Sequence, residues 1–495
     1  MWIFVIVTVV TGLVWTGCGE AAAKDSLTIA TAIEPPSLST VDNDSLATIY
    51  IHLLTNNLLV KADPETLNVV PDLAESWENP SDTEWLFHLH KGVKFHHGRE
   101  FTAEDVIASI ANAKKYPATI PYTEEIEKVE AVDKYTVKFT LRQPYSNLLY
   151  DLAYHFNYIL PKDLLESGHD FSSNPVGTGP YKFVEWSKGN HITLEKFDDY
   201  WDATEKPSIK TITWRIIPEG TSRTLALEVG EVDAIYHVET ADVQRLKSNP
   251  EFYVDQLASV ENFYLCINTD IAPFDNVDLR NAIHCAIDRE ALIAGALNGY
   301  GVPSYSSIPM GYWGSWDGNA KPYDVALAKE LLKKWGGDPT TVILPILVRT
   351  DELVRVATII QDSLAQVGIK VDVVSVETAT WHAKRASGDY VSGITSWSPS
   401  NAFTYVMRYH SSKRKSVAGA CNDQLVDDLI AQMKSELDAD KRLDLIHKIV
   451  ERVNDLAIQP SLWQGEYFRA YNAKLKGIVS SATGYMRFHT ARWTD

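Results

Sequence analysis

The run from residue 354 to residue 376 places a helical period, a glycine and a strand pattern in direct succession. Apolar residues recur at helical spacing up to Val367, Gly368 follows, and residues 370–376 are rich in valine. Glycine suits the left-handed residue after a helix, so the chain turns from helix into strand at once. This succession is typical of α/β folds. We therefore predict an α/β protein.

The same patterns recur along the chain. Further helices are predicted after Thr102, which can cap the turn at Asp105, and over residues 279–297 and 441–456. The 495 residues exceed what one ordinary core accommodates, so two or three lobes are expected. Alternating strand patterns lie at residues 26–32, 135–141, 191–197, 211–217, 262–268 and 342–348.

The stretch NPVGTGPYKFVEW, residues 174–186, has the glycine content of a phosphate-binding loop but not its context. A phosphate loop needs backbone amides that converge at a helix N-terminus. Here Pro180 removes one amide, and the residues that follow alternate as a strand. The stretch therefore predicts a rigid turn that leads into a strand.

The charge balance argues against nucleic acid as a partner. Lys and Arg number 46 and Asp and Glu 65, which gives a net charge of −19, and an acidic protein repels a phosphodiester backbone. Arg408 and residues 413–415 form one basic cluster, which we interpret as a solvated surface turn.

The N-terminus predicts export. Residues 1–16 are almost wholly apolar but shorter than a membrane span, which favours a signal peptide. Gly17-Cys18 resembles the lipobox of bacterial lipoproteins, in which the cysteine becomes the lipid-modified first residue. We predict a lipoprotein-type signal over residues 1–18 with lipid attachment at Cys18; a plain signal peptide is the alternative.

The sequence gives only weak evidence for a metal-binding or catalytic site. His88, His90, His96 and His97 lack an identifiable third ligand of fixed geometry, and we interpret them as structural or surface residues. Cys266, Cys285 and Cys421 fit no zinc spacing; one disulfide plus one buried thiol is an open alternative. No HExxH, GxSxG or Walker pattern occurs. We expect no metal, no cofactor and no enzymatic activity.

Tryptophan is abundant, with 14 residues. Most are expected in the core, because tryptophan buries a large area. Those in loops rich in Gly, Pro or Ser are better candidates for stacking on a ligand. Trp313, Trp316 and Trp397 belong to this group.

Five sequence blocks, considered together, are more informative than any single motif. They are PDLAESWE at 71–78, TEWLFHLHKGVKFHHGREFTAEDV at 83–106, PVGTGPYKFVEW at 175–186, LEVGEVDAIY at 227–236 and INTDIAPFDNVDLRNAIHCAIDREALI at 267–293. These blocks resemble the extracellular solute-binding proteins of the peptide/nickel class, family 5, the receptors of oligopeptide, dipeptide and nickel ABC importers. Their order and spacing match that family over nearly all of residues 26–495.

The resemblance implies a periplasmic-binding-protein-like clamp of type II, cluster C, with three lobes, mixed sheets and a two-strand hinge. Two crossing strands near residues 262–268 and 461–466 would supply the hinge, and ligand would lie between lobes I and III. Lobe boundaries are expected at 26–50 with 169–261 and 461–495 for lobe I, 51–168 for lobe II and 262–460 for lobe III.

The resemblance also implies where ligand binds. Peptide-binding members usually carry an Asp three residues after the Trp of the lobe III cleft loop, where it pairs with the peptide's ammonium group. Counting from Trp397 gives Ser400, and a buried ammonium without a carboxylate is costly. Glu34, Glu377 or another acid would have to substitute. The candidate ligand-binding residues are Trp397, Ser400, Asn401, Phe403, Trp381 and Glu34.

The ligand class stays open between three alternatives. A small peptide or amide ranks first, an oligosaccharide stacked on tryptophan second, and a metal chelate bound through His410 and Arg142 third. We expect a monomeric receptor that delivers its solute to an ABC permease, at the cell surface or in the periplasm. A competing hypothesis from another class is a secreted hydrolase of oligomeric substrates.

Overall fold

The computed structural model describes residues 24–398, 401–413 and 422–494. The described strands are β1 Ser26–Thr31, β2 Val60–Ala62, β3 Val69–Pro71, β4 Ala74–Ser81, β5 Glu84–Leu89, β6 Ile126–Asp133, β7 Thr136–Leu141, β8 Tyr181–Ser187, β9 His191–Lys196, β10 Thr211–Ile216, β11 Ala234–Tyr236, β12 Phe252–Ile267, β13 Val302–Pro303, β14 Ile343–Val348, β15 Lys370–Ser375, β16 Ser392–Trp397, β17 Ser461–Asn472, β18 Leu475–Lys476, β19 Val479–Ser480, β20 Met486–Arg487 and β21 Arg492–Trp493.

The helices lie mostly between these strands, as the α/β pattern predicts. They are α1 Leu46–Thr55, α2 Ala103–Ala113, α3 Leu148–Leu152, α4 Lys162–Ser167, α5 Gly220–Glu228, α6 Thr240–Lys247, α7 Val277–Ala286, α8 Arg289–Ala296, α9 Val325–Trp335, α10 Asp351–Ala365, α11 Thr378–Ser387, α12 Ala402–Met407, α13 Gln424–Ser435 and α14 Ala439–Leu456. Short 3₁₀ turns occur at Ile120–Tyr122, His155–Asn157, Pro339–Thr341 and Ser411–Lys413.

One large mixed sheet forms the central framework of the molecule. Its strands run in the order β15-β14-β16-β12-β17-β11-β1-β10-β9-β8, and β13 pairs with β17. The long strands β12 and β17 pair antiparallel in the middle and join the β14–β16 half to the β1–β11 half. The two predicted crossing segments lie in these strands, so the mixed sheet with two central strands is confirmed.

A second, antiparallel sheet, β4-β5-β7-β6, stands apart from the large one. Its buried face packs on α2 and α3, and the same hydrophobic cluster continues into α12, α13 and α14. Two contacts show this junction. Tyr145 meets Phe403 edge-on at 5.8 Å between ring centroids, and the Ser146 amide donates to the Lys434 carbonyl at 2.9 Å. The segment between β7 and α3 therefore contacts the region after β16 directly.

The local signals behave as expected with one exception. Asp105 accepts a hydrogen bond from the Thr102 amide at 2.9 Å, and Gly368 has a φ of +86°. The single helix predicted over residues 279–297 is wrong, because it is divided into α7 and α8. The break lies at Ile287, and the Asp288 side chain caps α8 by accepting from the Ala291 amide. A good capping residue starts a new helix there.

The turn before β8 is confirmed as a framework feature. A Cβ on Gly177 would lie 2.3 Å from the Thr55 carbonyl oxygen, and one on Gly179 would lie 2.5 Å from that of Leu54. Glycine is therefore needed so that the turn can approach the end of α1 closely. The Thr178 hydroxyl donates to Asn57 at 3.0 Å and fixes the turn on the neighbouring segment.

Candidate functional site

A cavity of about 420 Å³ lies between the segment that precedes α3 and the region around the end of β16. This volume is within the range of small-molecule binding pockets. Aromatic and charged side chains dominate its lining. Tyr122, Glu124, Glu125, Tyr145, Asn147 and Asp151 form one wall, and Tyr264, Arg385, Ser396, Trp397, Phe403 and Arg408 form the opposite wall.

Trp397 and Phe403, two of the predicted binding residues, line this cavity. Trp397 is the last residue of β16 and pairs with Asn262 of β12, so the sheet fixes its backbone. Its side chain remains 39% exposed, which leaves a ring face available for stacking. Phe403 lies on α12 and packs against Tyr145 of the opposite wall.

A smaller cavity of about 110 Å³ begins at the next residue, Ser398. Tyr154 and Tyr158 contribute from the segment after α3, and Ser481 and Tyr485 from the C-terminal tail. Consecutive residues at the end of β16 therefore face two cavities, which together we call the cleft. The predicted site loop leaves β16 at this point.

Trp381 lies in the core and lines neither cavity. Its side chain is 0% exposed and packs with Tyr264, Cys266 and Leu347. A Cβ on Gly393 would lie 2.5 Å from its ring, so β16 approaches the indole closely. The structure gives Trp381 a packing role between α11 and the sheet rather than a place on the cleft wall.

Asn401 and Glu34 have structural partners. The Asn401 side chain caps α12 by accepting from the Thr404 amide at 2.8 Å. The Glu34 carboxylate accepts from the Trp186 indole at 2.9 Å and from the Gly189 amide at 2.8 Å, which ties the segment after β1 to the β8–β9 turn. Ser400 and Cys18 lie outside the described residues.

Trp313 and Trp316 line neither cavity. Both are partly buried against the cluster formed with α14. Trp316 stacks on His447 with ring centroids 5.0 Å apart, and the Arg442 guanidinium lies 5.2 Å from the centre of the Trp313 ring. Their aromatic faces are thus occupied by neighbours from α14.

Arg408 was interpreted as part of a solvated turn, and that interpretation is wrong. It follows α12 directly and is only 5% exposed. Its guanidinium lies 4.9–5.9 Å from four ring centres, a set we call the aromatic cage: Tyr264, Trp397, Tyr405 and Tyr409. The one local signal was the presence of Tyr405 and Tyr409 three residues before and one after it, a pattern unusual for a charged turn.

The Arg408 guanidinium is incompletely satisfied. Its Nη2 donates to the Tyr264 hydroxyl. Its Nε and Nη1 are buried and have no hydrogen-bond partner. A buried charged donor without a partner is costly, and such groups in a native structure call for an explanation.

The acids of the opposite wall are better satisfied. Asp151 accepts from the Tyr145 hydroxyl and from the Asn147 amide group, both at 2.8 Å, and burial raises its pKa to about 7. Glu125 pairs with Lys434 at 3.0 Å across the cleft. Glu377, proposed as a substitute acid, is exposed at the start of α11.

The histidine tract has ordinary partners. His88 contacts Glu78 at 3.1 Å, and His96 bonds the Gly179 carbonyl at 3.0 Å. Within the described ranges no group of three His, Cys, Asp or Glu side chains is arranged to hold a metal ion. Cys266 and Cys285 are buried free thiols, whereas Cys421 lies outside those ranges. In the part of the chain that the structure describes, no helix has both the length and the apolar character needed to cross a bilayer.

Comparison with known proteins identifies close relationships in sequence and fold. The glutathione-binding protein of Pectobacterium atrosepticum is 33% identical over 394 residues, 77% of this chain and 75% of that protein. The probable D,D-dipeptide-binding periplasmic protein of Escherichia coli is 31% identical over 480 residues, 93% and 92% of the two chains.

A solved structure agrees with these relatives. The ABC transporter-associated periplasmic binding protein of Helicobacter pylori, in complex with the peptide STSA, superposes with a TM-score of 0.78 at 27% identity. The match covers 96% of this chain and 99% of that one. The fold is the type II, cluster C periplasmic-binding fold that the sequence predicts. The model for "Bacterial extracellular solute-binding proteins, family 5 Middle" matches residues 68–416, so the chain belongs to the family 5 extracellular solute-binding proteins.

Proposed function

We propose that this protein is the receptor of an ABC importer and that it encloses a peptide-like solute in the cleft beside Trp397. The observation that carries the proposal is the cavity of about 420 Å³ between two regions that contact each other directly. The relatives named above, which bind glutathione, D,D-dipeptides or peptides by description, support a small peptide as the solute class.

The proposed lobes follow the boundaries expected from the sequence. Lobe II, residues 51–168, contains the whole four-stranded sheet. Lobe I, residues 26–50, 169–261 and 461–495, and lobe III, residues 262–460, share the large sheet and meet at β12 and β17. We propose that these two strands form the hinge and that solute stabilises the closed arrangement by contacts made only there.

The cleft offers the solute contacts with all three proposed lobes. The larger cavity has walls from lobes II and III, not from lobes I and III as the resemblance implies, and the smaller one adds Ser481 and Tyr485 of lobe I to residues of lobe II and Ser398. A peptide lying along the end of β16 would contact both cavities. Trp397 is the proposed stacking surface, and Phe403 closes the wall behind it.

Export, anchoring and partners complete the proposal. The family is extracellular, so the chain acts outside the cytoplasm. We propose that Cys18 carries a lipid that holds the monomeric receptor at the membrane beside its permease. The family is a class of solute receptors, and we propose that the solute leaves chemically unchanged.

The test is mass spectrometry of the purified protein after denaturation, together with melting curves in the presence of pooled peptides, sugars and metal chelates. A released peptide, or a peptide pool that raises the melting temperature, is expected. A bound solute at 100 times its dissociation constant adds about 2.7 kcal/mol of stability. Stabilisation by the sugar or chelate pool alone would reject the peptide assignment, and turnover of bound solute into smaller products would reject the receptor role.

A further inference from the structure

We infer that the solute of this receptor presents a carboxylate to Arg408, which acts as the anion-binding residue of the cleft. The inference rests on the proposed receptor function and deepens it by naming the polarity of the bound solute. It starts from one observation: a guanidinium that is 5% exposed lines the larger cavity with two of its nitrogen atoms unpaired.

No acid of the protein neutralises this charge among the described residues. Arg408 forms no ion pair with Asp or Glu there, and its Nη2 donates to the phenol of Tyr264 rather than to a carboxylate. The neighbouring residues outside the described ranges, 399–400 and 414–421, contain neither Asp nor Glu. A buried arginine is costly unless it is paired, so the missing partner has to come from the cavity.

The aromatic cage explains how the charge persists before solute binds. Four ring faces around a guanidinium stabilise it by cation–π attraction and exclude water from it. Among the described residues, none of the cage hydroxyls accepts a hydrogen bond from Nε or Nη1, and both atoms are buried. A carboxylate that enters beside the rings would supply the missing acceptor, because its oxygens suit the planar fork of arginine.

The rest of the cavity gives the solute a direction. Arg385, on the same wall as Arg408, also has a buried Nε without a partner. The opposite wall carries Glu124 and Asp151, and Glu125 is already paired with Lys434. A zwitterionic peptide would thus place its carboxylate toward α12 and its ammonium toward the segment before α3. This orientation is the reverse of the one that an Asp after Trp397 would impose.

The test compares two pools of di- and tripeptides with free N-termini, one with free C-terminal carboxylates and one with C-terminal amides. Binding is measured by calorimetry and by the shift in melting temperature. We expect the wild-type protein to bind the acid pool at least tenfold more tightly than the amide pool. Arg408→Gln should bind the two pools equally, and Arg408→Lys should retain part of the preference.

Arg215→Gln is the matched control, because it removes the same charge from an arginine of β10 that pairs with Glu231 and lines neither cavity of the cleft. It should discriminate between the pools as the wild type does. If Arg408→Gln does not fold, the wild-type preference and its reduction in Arg408→Lys carry the decision.

The outcomes that would contradict the carboxylate inference differ from the outcome that would contradict the receptor function. Equal binding of both pools to the wild type would overturn the carboxylate assignment and leave the receptor function standing. A preference that persists in Arg408→Gln would place the carboxylate elsewhere and also overturn the inference. If neither pool binds and denaturation releases no peptide, the proposed peptide-receptor function fails, and this inference fails with it.

Discussion

Two buried arginines, Arg289 and Arg408, show how the same side chain serves different ends in one chain. Arg289 is 0% exposed, and its guanidinium donates to the carbonyls of Ser304, Ser461 and Ile287 at 2.7–3.0 Å. Arg408 is buried almost as deeply but donates to the phenol of Tyr264 rather than to backbone carbonyls. Arg289 joins the start of α8 to β17, whereas Arg408 faces a cavity.

The difference teaches where to look for a ligand. Backbone carbonyls accept from Nε and Nη1 of Arg289, whereas its Nη2 has no partner, and burial lowers its pKa only to about 10, so it stays charged at neutral pH. Arg408 lines a cavity, and its Nε and Nη1 are buried without a partner. We propose that the unpaired charge of Arg408 beside a cavity marks a binding residue, whereas the carbonyl-bound charge of Arg289 within the core marks a framework residue.

The largest expected effect comes from removing Arg289, the arginine that donates to backbone carbonyls. Arg289→Met should lower the free energy of unfolding by about 3–5 kcal/mol, because several buried carbonyls lose their donor at once. Urea denaturation of the ligand-free protein measures it. Arg289→Lys keeps the charge with fewer donors, so its free energy of unfolding should lie between those of the wild type and Arg289→Met. A loss below about 1 kcal/mol would show that water replaces the guanidinium.

The next effect concerns Asp151, the buried acid opposite Arg408. Its pKa of about 7 lies above the usual 3.8, so the folded protein holds this proton more tightly than the unfolded chain. Stability from this group is present below about pH 4 and is lost as the pH rises through 7.

Asp151→Asn removes that titration. The unfolding free energy of the variant relative to the wild type should therefore rise by on the order of 3 kcal/mol between pH 4 and pH 8. Denaturation curves at several pH values, taken on both proteins, measure the difference. Because other groups of the cleft titrate in both proteins, their contributions cancel, and a flat difference would contradict the raised pKa.

Arg408→Met should have the opposite sign to Arg289→Met. Replacing an unpaired buried charge with an apolar side chain of similar length should raise the unfolding free energy of the ligand-free protein by about 2 kcal/mol. The measurement is the same urea denaturation after bound solute has been removed by unfolding and refolding. A destabilised variant would mean that the aromatic cage already compensates the charge fully.

The smallest expected effect distinguishes Trp397, whose ring lines the cleft, from Trp381, whose ring lies in the core. Trp397→Ala should weaken solute binding by about 1–2 kcal/mol and change the stability of the ligand-free protein little, because the side chain is half exposed. Trp381→Phe is the matched variant and should lower stability without changing solute contacts. Calorimetry measures the solute affinity of both variants, and denaturation measures their stability. An unchanged affinity of Trp397→Ala would show that the Trp397 ring has a structural role and does not contact the solute.

Hydrophobic periodicity predicted the helices and strands of this fold but not the tertiary contacts between them. The strand at 191–197 and the turn into β8 follow from residues that are neighbours in sequence, and both are present. The break between α7 and α8 was missed, because the apolar spacing continues across Asp288 although its side chain starts a new helix.

The site was predictable only in part for the same physical reason. Trp397 was recognisable because it stands in a loop-like context at the end of a strand pattern. Arg408 was not, because its cage brings Tyr264 of β12 to residues more than 130 positions away in the sequence. The burial of Trp381 likewise depends on how α11 lies against β14 and β16. Such tertiary contacts leave no local pattern.

The pairing of β12 with β17 has a mechanical consequence. Its register shifts between Ala258 and Asn262 and again between Phe263 and Tyr264, so the ladder is interrupted where the two halves of the large sheet join. A register shift disrupts the hydrogen-bond ladder locally and lets a strand bend. We therefore expect bending of the large sheet to concentrate at this point. Glu261 lies within the interruption and accepts from Ser396, the residue before Trp397, at 2.7 Å. This hydrogen bond links the interrupted part of the ladder to the strand end that carries the aromatic surface of the cleft.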